Sequence, residues 1–280
     1  MKKFSPAFIG IGASYAGLGE LMTWLAAHPK VSSHIPATHY FATRAYSKGP
    51  LWYHDTIMLQ QKAGQLVGES SASYLHHAEA PARIAHDCPD AKLLVVLRHP
   101  IRRMLAEYDA LTRIDAKAKH MSAAAYIAAH SELQAESLYA EALERYFSYY
   151  SPLECLVIFY EDLANSPLET MKTVYSFLEI DTEVIPAALK HLAPPPDEPK
   201  HPSLFYRARK LVRNTYNRLF SKPKPRLFPV DDSLDHLLQP AEWAIFAKLF
   251  THDTKRLSQL LNRDMNAFWN LVSPTDTVEM

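Results

Sequence analysis

Two cysteines in 280 residues, Cys88 and Cys155, are too few for a disulfide framework. Both adjoin apolar, strand-like runs, so buried reduced thiols and a cytoplasmic setting are expected. An excess of charge is also missing. The 30 basic and 30 acidic side chains cancel, which removes the global field of a nucleic-acid-binding protein. No run approaches the ~18 apolar residues of a transmembrane segment. The start, Met1-Lys2-Lys3, leads into a stretch broken by Pro6, four glycines and Glu20, which makes a poor secretory leader. Glycine is scarce, seven in all, yet four of the seven fall between Gly10 and Gly19. Lysine is absent between Lys3 and Lys30, so this glycine-rich stretch has none.

What is present there is a strand, a turn and a helix. FIGIGASYAGLGELMTWLAAHP, Phe8 to Pro29, reads as a buried strand, a glycine-rich turn and an amphipathic helix, an arrangement that aims backbone N–H groups and a helix dipole at a bound phosphate. A phosphate cradle normally adds a point cation, and Tyr15 stands where one is expected.

The rest of the chain alternates strands with helices. Strands are expected at Ala7 to Ile11, at Lys92 to Leu97 (KLLVVL) and at Cys155 to Tyr160 (CLVIFY). Helices are expected at Leu18 to Ala27, after Pro100, at Pro167 to Leu178 and at Glu242 to Asn262, the last within a C-terminal helical stretch 240–270. Continuous apolar strands separated by helices predict a parallel α/β sheet covered on both faces, in a single domain over 1–280. Ala193 to Pro202 holds five prolines and marks a loop or lobe boundary. After it, Pro199 to Pro229 has nine lysines and arginines and no acidic residue. Apolar residues recur at helical spacing within 203–220, so this is a basic amphipathic helix with either a solvated face or a surface for an anionic ligand.

Val67 to Tyr108, VGESSASYLHHAEAPARIAHDCPDAKLLVVLRHPIRRMLAEY, resembles the core of bacterial and Golgi-type sulfotransferases, where a G-E-K-[ST]-P-x-Y element precedes a strand ending in L-R-[DNH]-P-x-x-R. The likeness continues through Leu138 to Leu163 and Leu249 to Trp269. It implies a P-loop-like fold that binds 3′-phosphoadenosine 5′-phosphosulfate (PAPS), or its product adenosine 3′,5′-bisphosphate, and passes the sulfuryl group to a hydroxyl or amine of a small-molecule or glycan acceptor. By that resemblance Ser14, Gly17, Gly19, Arg98 and Arg103 would hold the nucleotide. Arg44, Lys48, Ser70, Ser71 and Tyr74 would face the acceptor, and Tyr15 and His39 are left as catalytic candidates.

The departures from the family pattern carry the most information. Aligning the family's H-P on His28-Pro29 puts its K-x-G-T-T loop on Tyr15, Ala16, Gly17, Leu18 and Gly19, with only the first glycine kept. Tyr15 is a neutral donor at pH 7, and losing one preorganised cationic or hydrogen-bonding donor costs ~10²–10³ in rate. The family's K-E-L-H-F-F becomes Pro36, Ala37, Thr38, His39, Tyr40 and Phe41, which removes the carboxylate base and keeps the histidine. Ser70 replaces the lysine of the G-E-K element, and Ala106 a phosphate-binding serine.

Each survivor has a structural alternative. Arg98 either clamps a phosphate at the strand's C-terminal end or pairs with a carboxylate. His39 sits in a possible strand, either as a proton carrier or as a structural histidine. His76 and His77, on one helix, would point about 100° apart, so no metal is expected. Glu161 and Asp162 suit a helix cap. Trp52, Tyr53, Tyr74 and Phe41 form either an acceptor wall or core. Three activities stay open: sulfuryl transfer by an atypical mechanism, altered chemistry on the same fold, or binding without turnover.

Overall fold

The computed structural model describes residues 6–34, 37–58, 63–190, 192 and 233–271. Five strands, β1 (Phe8–Gly12), β2 (Val31–His34), β3 (Leu66–Ser70), β4 (Lys92–Leu97) and β5 (Cys155–Phe159), form one sheet in the order β2-β3-β1-β4-β5. Every pairing is parallel, with Phe8 opposite Gly68 and Lys92, and Leu93 to Leu97 opposite Cys155 to Phe159. The α/β reading holds, for the reason the sequence supplied. Leu93 to Leu97 lack polar alternation because both faces of β4 are covered, and all five are fully buried.

Helices α1 (Leu18–Ala26), α2 (Pro50–Met58), α3 (Ala80–Asp87) and α4 (Pro100–Leu111) connect or follow the first four strands. Then come α5 (Ala116–His120), α6 (Ala123–Ala129), α7 (Ser131–Ala135) and α8 (Ala140–Phe147) before β5, and α9 (Tyr160–Asn165) and α10 (Pro167–Phe177) after it. Pro100 and Pro167 occupy first-turn positions, where a missing N–H costs nothing. A second apolar cluster, with Ile101, Met104, Leu105, Ile127, Trp243, Phe246 and Phe250, packs α4 and α6 against the C-terminal helix.

The 240–270 stretch is two helices, α11 (Pro240–Leu261) and α12 (Met265–Trp269). Asn262 ends the first in the left-handed region at φ 48°, and Asp264 starts the second by accepting the Ala267 N–H. The stretch 199–229, with its basic segment 203–220, lies outside the described residues. Among those described, no helix is long and apolar enough to cross a membrane.

The chain leaves β1 toward β2 on one side of the sheet, and leaves β4 toward β5 on the other. In an open parallel sheet such a reversal opens a crevice at the C-terminal ends of the two strands, where ligands bind. Residues 12–19 follow β1 there, and Arg98 follows β4.

Candidate active site

The turn after β1 is fixed from both ends. Ala13 N–H donates to the Val96 carbonyl at 2.7 Å, tying the loop to β4, and Gly17 O accepts the first α1 bond, from Leu21 N–H at 3.1 Å. Gly17 is the N-cap at φ 93°, and a Cβ there would lie 2.9 Å from the Tyr160 ring, so both conformation and space require glycine. Among the described residues no side chain caps this helix start, leaving its first-turn amides for another acceptor. At Gly19 an added Cβ would meet no described residue within 4 Å, so among the described residues the rim is open.

Arg98 closes the opposite side. Its Nη1 donates to the Tyr15 carbonyl at 3.2 Å, and its guanidinium stacks 4.1 Å from the Tyr160 ring centre, the same ring that presses on Gly17. Loop, ring and guanidinium thus form one layered unit at the crevice. Arg98 is held further back by Tyr139, whose hydroxyl donates to the Arg98 carbonyl.

Arg103 has a different place from the one its motif position suggests. It is fully buried, and each of its five N–H donors has a protein acceptor in reach. These acceptors are Ser137 Oγ, the Ser14 and Leu133 carbonyls, and the Glu107 and Glu136 carboxylates. The residue therefore buttresses the loop from beneath, through Ser14. Tyr15 follows at φ 58° and is 42% exposed. Burial of its remaining surface, then Glu107, raise its hydroxyl pKa, so it stays neutral.

The 38–41 segment corrects the strand expectation. His39 adopts φ 49° and leads into a 3₁₀ turn, Tyr40–Ala42. A β-like Thr-His-Tyr triplet gives no local warning of this, because tertiary hydrogen bonds impose it. His39 N–H donates to Ser71 Oγ at 2.9 Å, and His39 Nδ1 pairs with Ser73 Oγ at 2.8 Å. Beneath lies Glu69, which sequence reasoning passed over. Its carboxylate is wholly buried and accepts from four hydroxyls: Tyr74 (2.8 Å), Ser71 (3.0 Å), Tyr53 (3.2 Å) and Thr38 (3.2 Å). Burial raises its pKa, while the hydroxyls act in the opposite sense. The only hint in the sequence is the hydroxyl-rich run Ser70 to Tyr74 after it.

Other expectations are redistributed. Ser71 and Tyr74 are interior members of the Glu69 network, whereas Ser70 ends β3 half-buried. Tyr53, Phe41 and Tyr74 belong to the core with Tyr40, whose ring stacks on Tyr53 at 4.7 Å. Arg44 and Lys48 lie on an exposed 3₁₀ turn, and the Lys48 ammonium sits 4.2 Å over the Trp52 ring. His76 and His77 are in a turn before α3, and no group of three metal-binding side chains occurs among the described residues. Glu161 reaches across to accept the His99 N–H at 2.8 Å, supporting the start of α4. Both cysteines are buried thiols, and burial pushes that of Cys155 up to about 12.

A sulfotransferase family model matches residues 19–184. Human heparan sulfate glucosamine 3-O-sulfotransferase 3B1 is 32% identical over 181 residues, covering 62% of this chain and 46% of the human protein. Human heparan sulfate glucosamine 3-O-sulfotransferase 6 is 30% identical over 184 residues, covering 63% and 53%. The chain spans about half the length of these curated relatives. Among solved structures, a sulfotransferase from Alicyclobacillus acidocaldarius superposes with a TM-score of 0.71 at 20% identity, covering 95% of this chain and 99% of that one. A mouse sulfotransferase complexed with PAP gives 0.52 at 12% identity, covering 96% and 88%. The structural likeness is one of fold, the family model covers more than half of the sequence, and the chain belongs to the sulfotransferase family.

Proposed function

We propose that the chain binds a 3′-phosphorylated adenine nucleotide at the β1–β4 crevice and directs sulfuryl transfer to a hydroxyl or amine acceptor by an atypical route. The observation that carries this reading is the bond from Arg98 to the Tyr15 carbonyl, which joins a guanidinium to the uncapped start of α1. Backbone amides of residues 17–19, the open rim at Gly19 and Arg98 suit a phosphate-bearing ligand. Bound PAPS would supply the sulfuryl group. Within the chain, His39 takes the role of base for the acceptor proton, since Ala37 stands where the family has a carboxylate. Tyr15 contributes a neutral hydroxyl where a lysine would offset charge on the leaving oxygen. Conventional turnover is therefore expected to be weak.

The curated relatives are named for transfer to heparan sulfate glucosamine, which favours a glycan hydroxyl as acceptor. The two buried thiols favour a reducing, cytoplasmic compartment. Binding without turnover is the second reading, supported by the neutral Tyr15 hydroxyl beside Glu107 and Glu136.

Calorimetric and thermal-shift titration with adenosine 3′,5′-bisphosphate tests the first step. Saturable binding is expected, with ~2.7 kcal/mol of stabilisation at a hundredfold over Kd, and Arg98→Gln should weaken it at least tenfold. Absence of binding, or equal binding by the variant, would remove the nucleotide site. Labelled PAPS with a heparan-type oligosaccharide then separates slow transfer from none.

A further inference from the structure

The Glu69 network lies beside the assigned base and has no part in the reading above. A carboxylate with no exposure must be balanced by donors, and Glu69 is balanced by hydroxyls in place of a cation. Two of the four hydroxyls lead directly to the 38–40 backbone. Ser71 gives its proton to Glu69 Oε2, which leaves the Ser71 oxygen to accept the His39 N–H. Thr38 also donates to Oε2, and its oxygen accepts the Tyr40 N–H at 3.2 Å. Tyr74 donates to Oε1 and meets the Thr38 hydroxyl at 2.9 Å, which links Thr38 to the second carboxylate oxygen as well.

His39, at the centre, holds a left-handed backbone conformation that a β-region residue would leave unless held. Its ring is exposed, with Nδ1 on Ser73 Oγ, and its Nε2 has no hydrogen bond to any described residue. When Nδ1–H donates to Ser73, the lone pair is on Nε2, the outward nitrogen, as a base requires.

We propose that Glu69 is a positioning residue: acting through Ser71 and Thr38, it fixes the 38–40 turn so that His39 keeps Nδ1 on Ser73 and presents Nε2 outward. The inference rests on the reading of His39 as the base. It predicts that the network acts on the orientation of His39 while nucleotide binding at the crevice stays independent of it.

The test uses the full chain labelled with ¹⁵N-histidine, with His39→Gln to assign the signal. Ring ¹⁵N shifts give the tautomer, and kinetics with PAPS and an oligosaccharide acceptor give kcat and KM. Ser71→Ala removes the hydroxyl that joins Glu69 to the His39 N–H and leaves three hydroxyls on Glu69. Glu69→Gln puts N–H donors where hydroxyls donate. Both variants should move His39 toward the Nε2–H tautomer and lower kcat ~10–100-fold, with KM and the bisphosphate Kd within twofold of the unsubstituted chain. A folded Ser71→Ala protein with an unchanged His39 tautomer would overturn the proposal, and this variant carries the test if Glu69→Gln does not fold. A tautomer that moves in a chain without turnover would support the positioning role and overturn His39 as base. Loss of nucleotide binding in both variants would overturn the claimed independence.

Discussion

A single arginine shows how position in a motif and role in a fold can part company. Arg103 occupies the second arginine of the L-R-H-P-x-x-R element, yet its guanidinium is enclosed by Ser137, Leu133, Ser14, Glu107 and Glu136. Its charge is offset within the protein, at 2.7 Å by Glu107 and 3.4 Å by Glu136. Replacing it with methionine keeps the apolar stem but strands two carboxylates and two carbonyls. Breaking a buried pair costs ~3–5 kcal/mol, and since Glu107 and Glu136 retain 15% and 42% side-chain exposure they can partly rehydrate, which places Arg103→Met near ~3 kcal/mol. Urea unfolding measures this. A loss below ~1 kcal/mol would show that the buried guanidinium is not what holds the loop, and Glu107→Leu added to Arg103→Met should return part of the loss.

At the scale of elements, contacts between helices far apart in sequence frame the crevice. Asp253, on α11, is nearly buried and accepts the Tyr139 and Ala140 N–H groups at 2.9 and 3.0 Å, capping α8 from another helix. Tyr139 in turn holds the Arg98 carbonyl, so the cap and Arg98 are two hydrogen bonds apart. Asp253→Ala should cost ~2 kcal/mol by leaving two buried amides without an acceptor, and should weaken bisphosphate binding less than Arg98→Gln does. Denaturation of the free chain and calorimetry of the complex check the two effects. A variant of unchanged stability would mean water replaces the carboxylate.

The same scale explains what the sequence could and could not reveal. Strands β1, β4 and β5 and helices α1, α4, α10 and α11 were legible to within a residue or two, because apolar runs and first-turn prolines are local signals. The turn at His39 was not, since its donors and acceptors come from residues 69–73, some thirty positions away. Glu69 was invisible for the same reason: four hydroxyls from Thr38, Tyr53, Ser71 and Tyr74 converge only when α2, β3 and the 3₁₀ turns pack together. That the loop after β1 has no lysine needed no structure at all. What the fold adds is that the Tyr15 carbonyl accepts from Arg98, so the arginine and the loop form one unit.

Over the whole molecule, neutrality conceals a division of charge. The stretch 199–229 has nine lysines and arginines and no carboxylate, so the rest of a neutral chain has nine more acidic than basic side chains. Two opposed fields in one protein favour an anionic partner at the basic stretch while the remainder repels it, and screening weakens both contributions. A sulfated glycan acceptor would meet such a field on approach. Replacing Arg207, Lys210 and Arg213 with glutamine should therefore weaken binding to a heparan-type oligosaccharide, and should flatten the fall in affinity between 50 and ~300 mM salt. The bisphosphate nucleotide, assigned to the crevice and Arg98, serves as the internal control and should bind unchanged. Anionic vesicles distinguish a lipid surface from a glycan. If affinity for glycan and vesicles alike is unaffected by the triple substitution, the basic stretch takes no part in anion binding, and acceptor recognition must come from residues around His39.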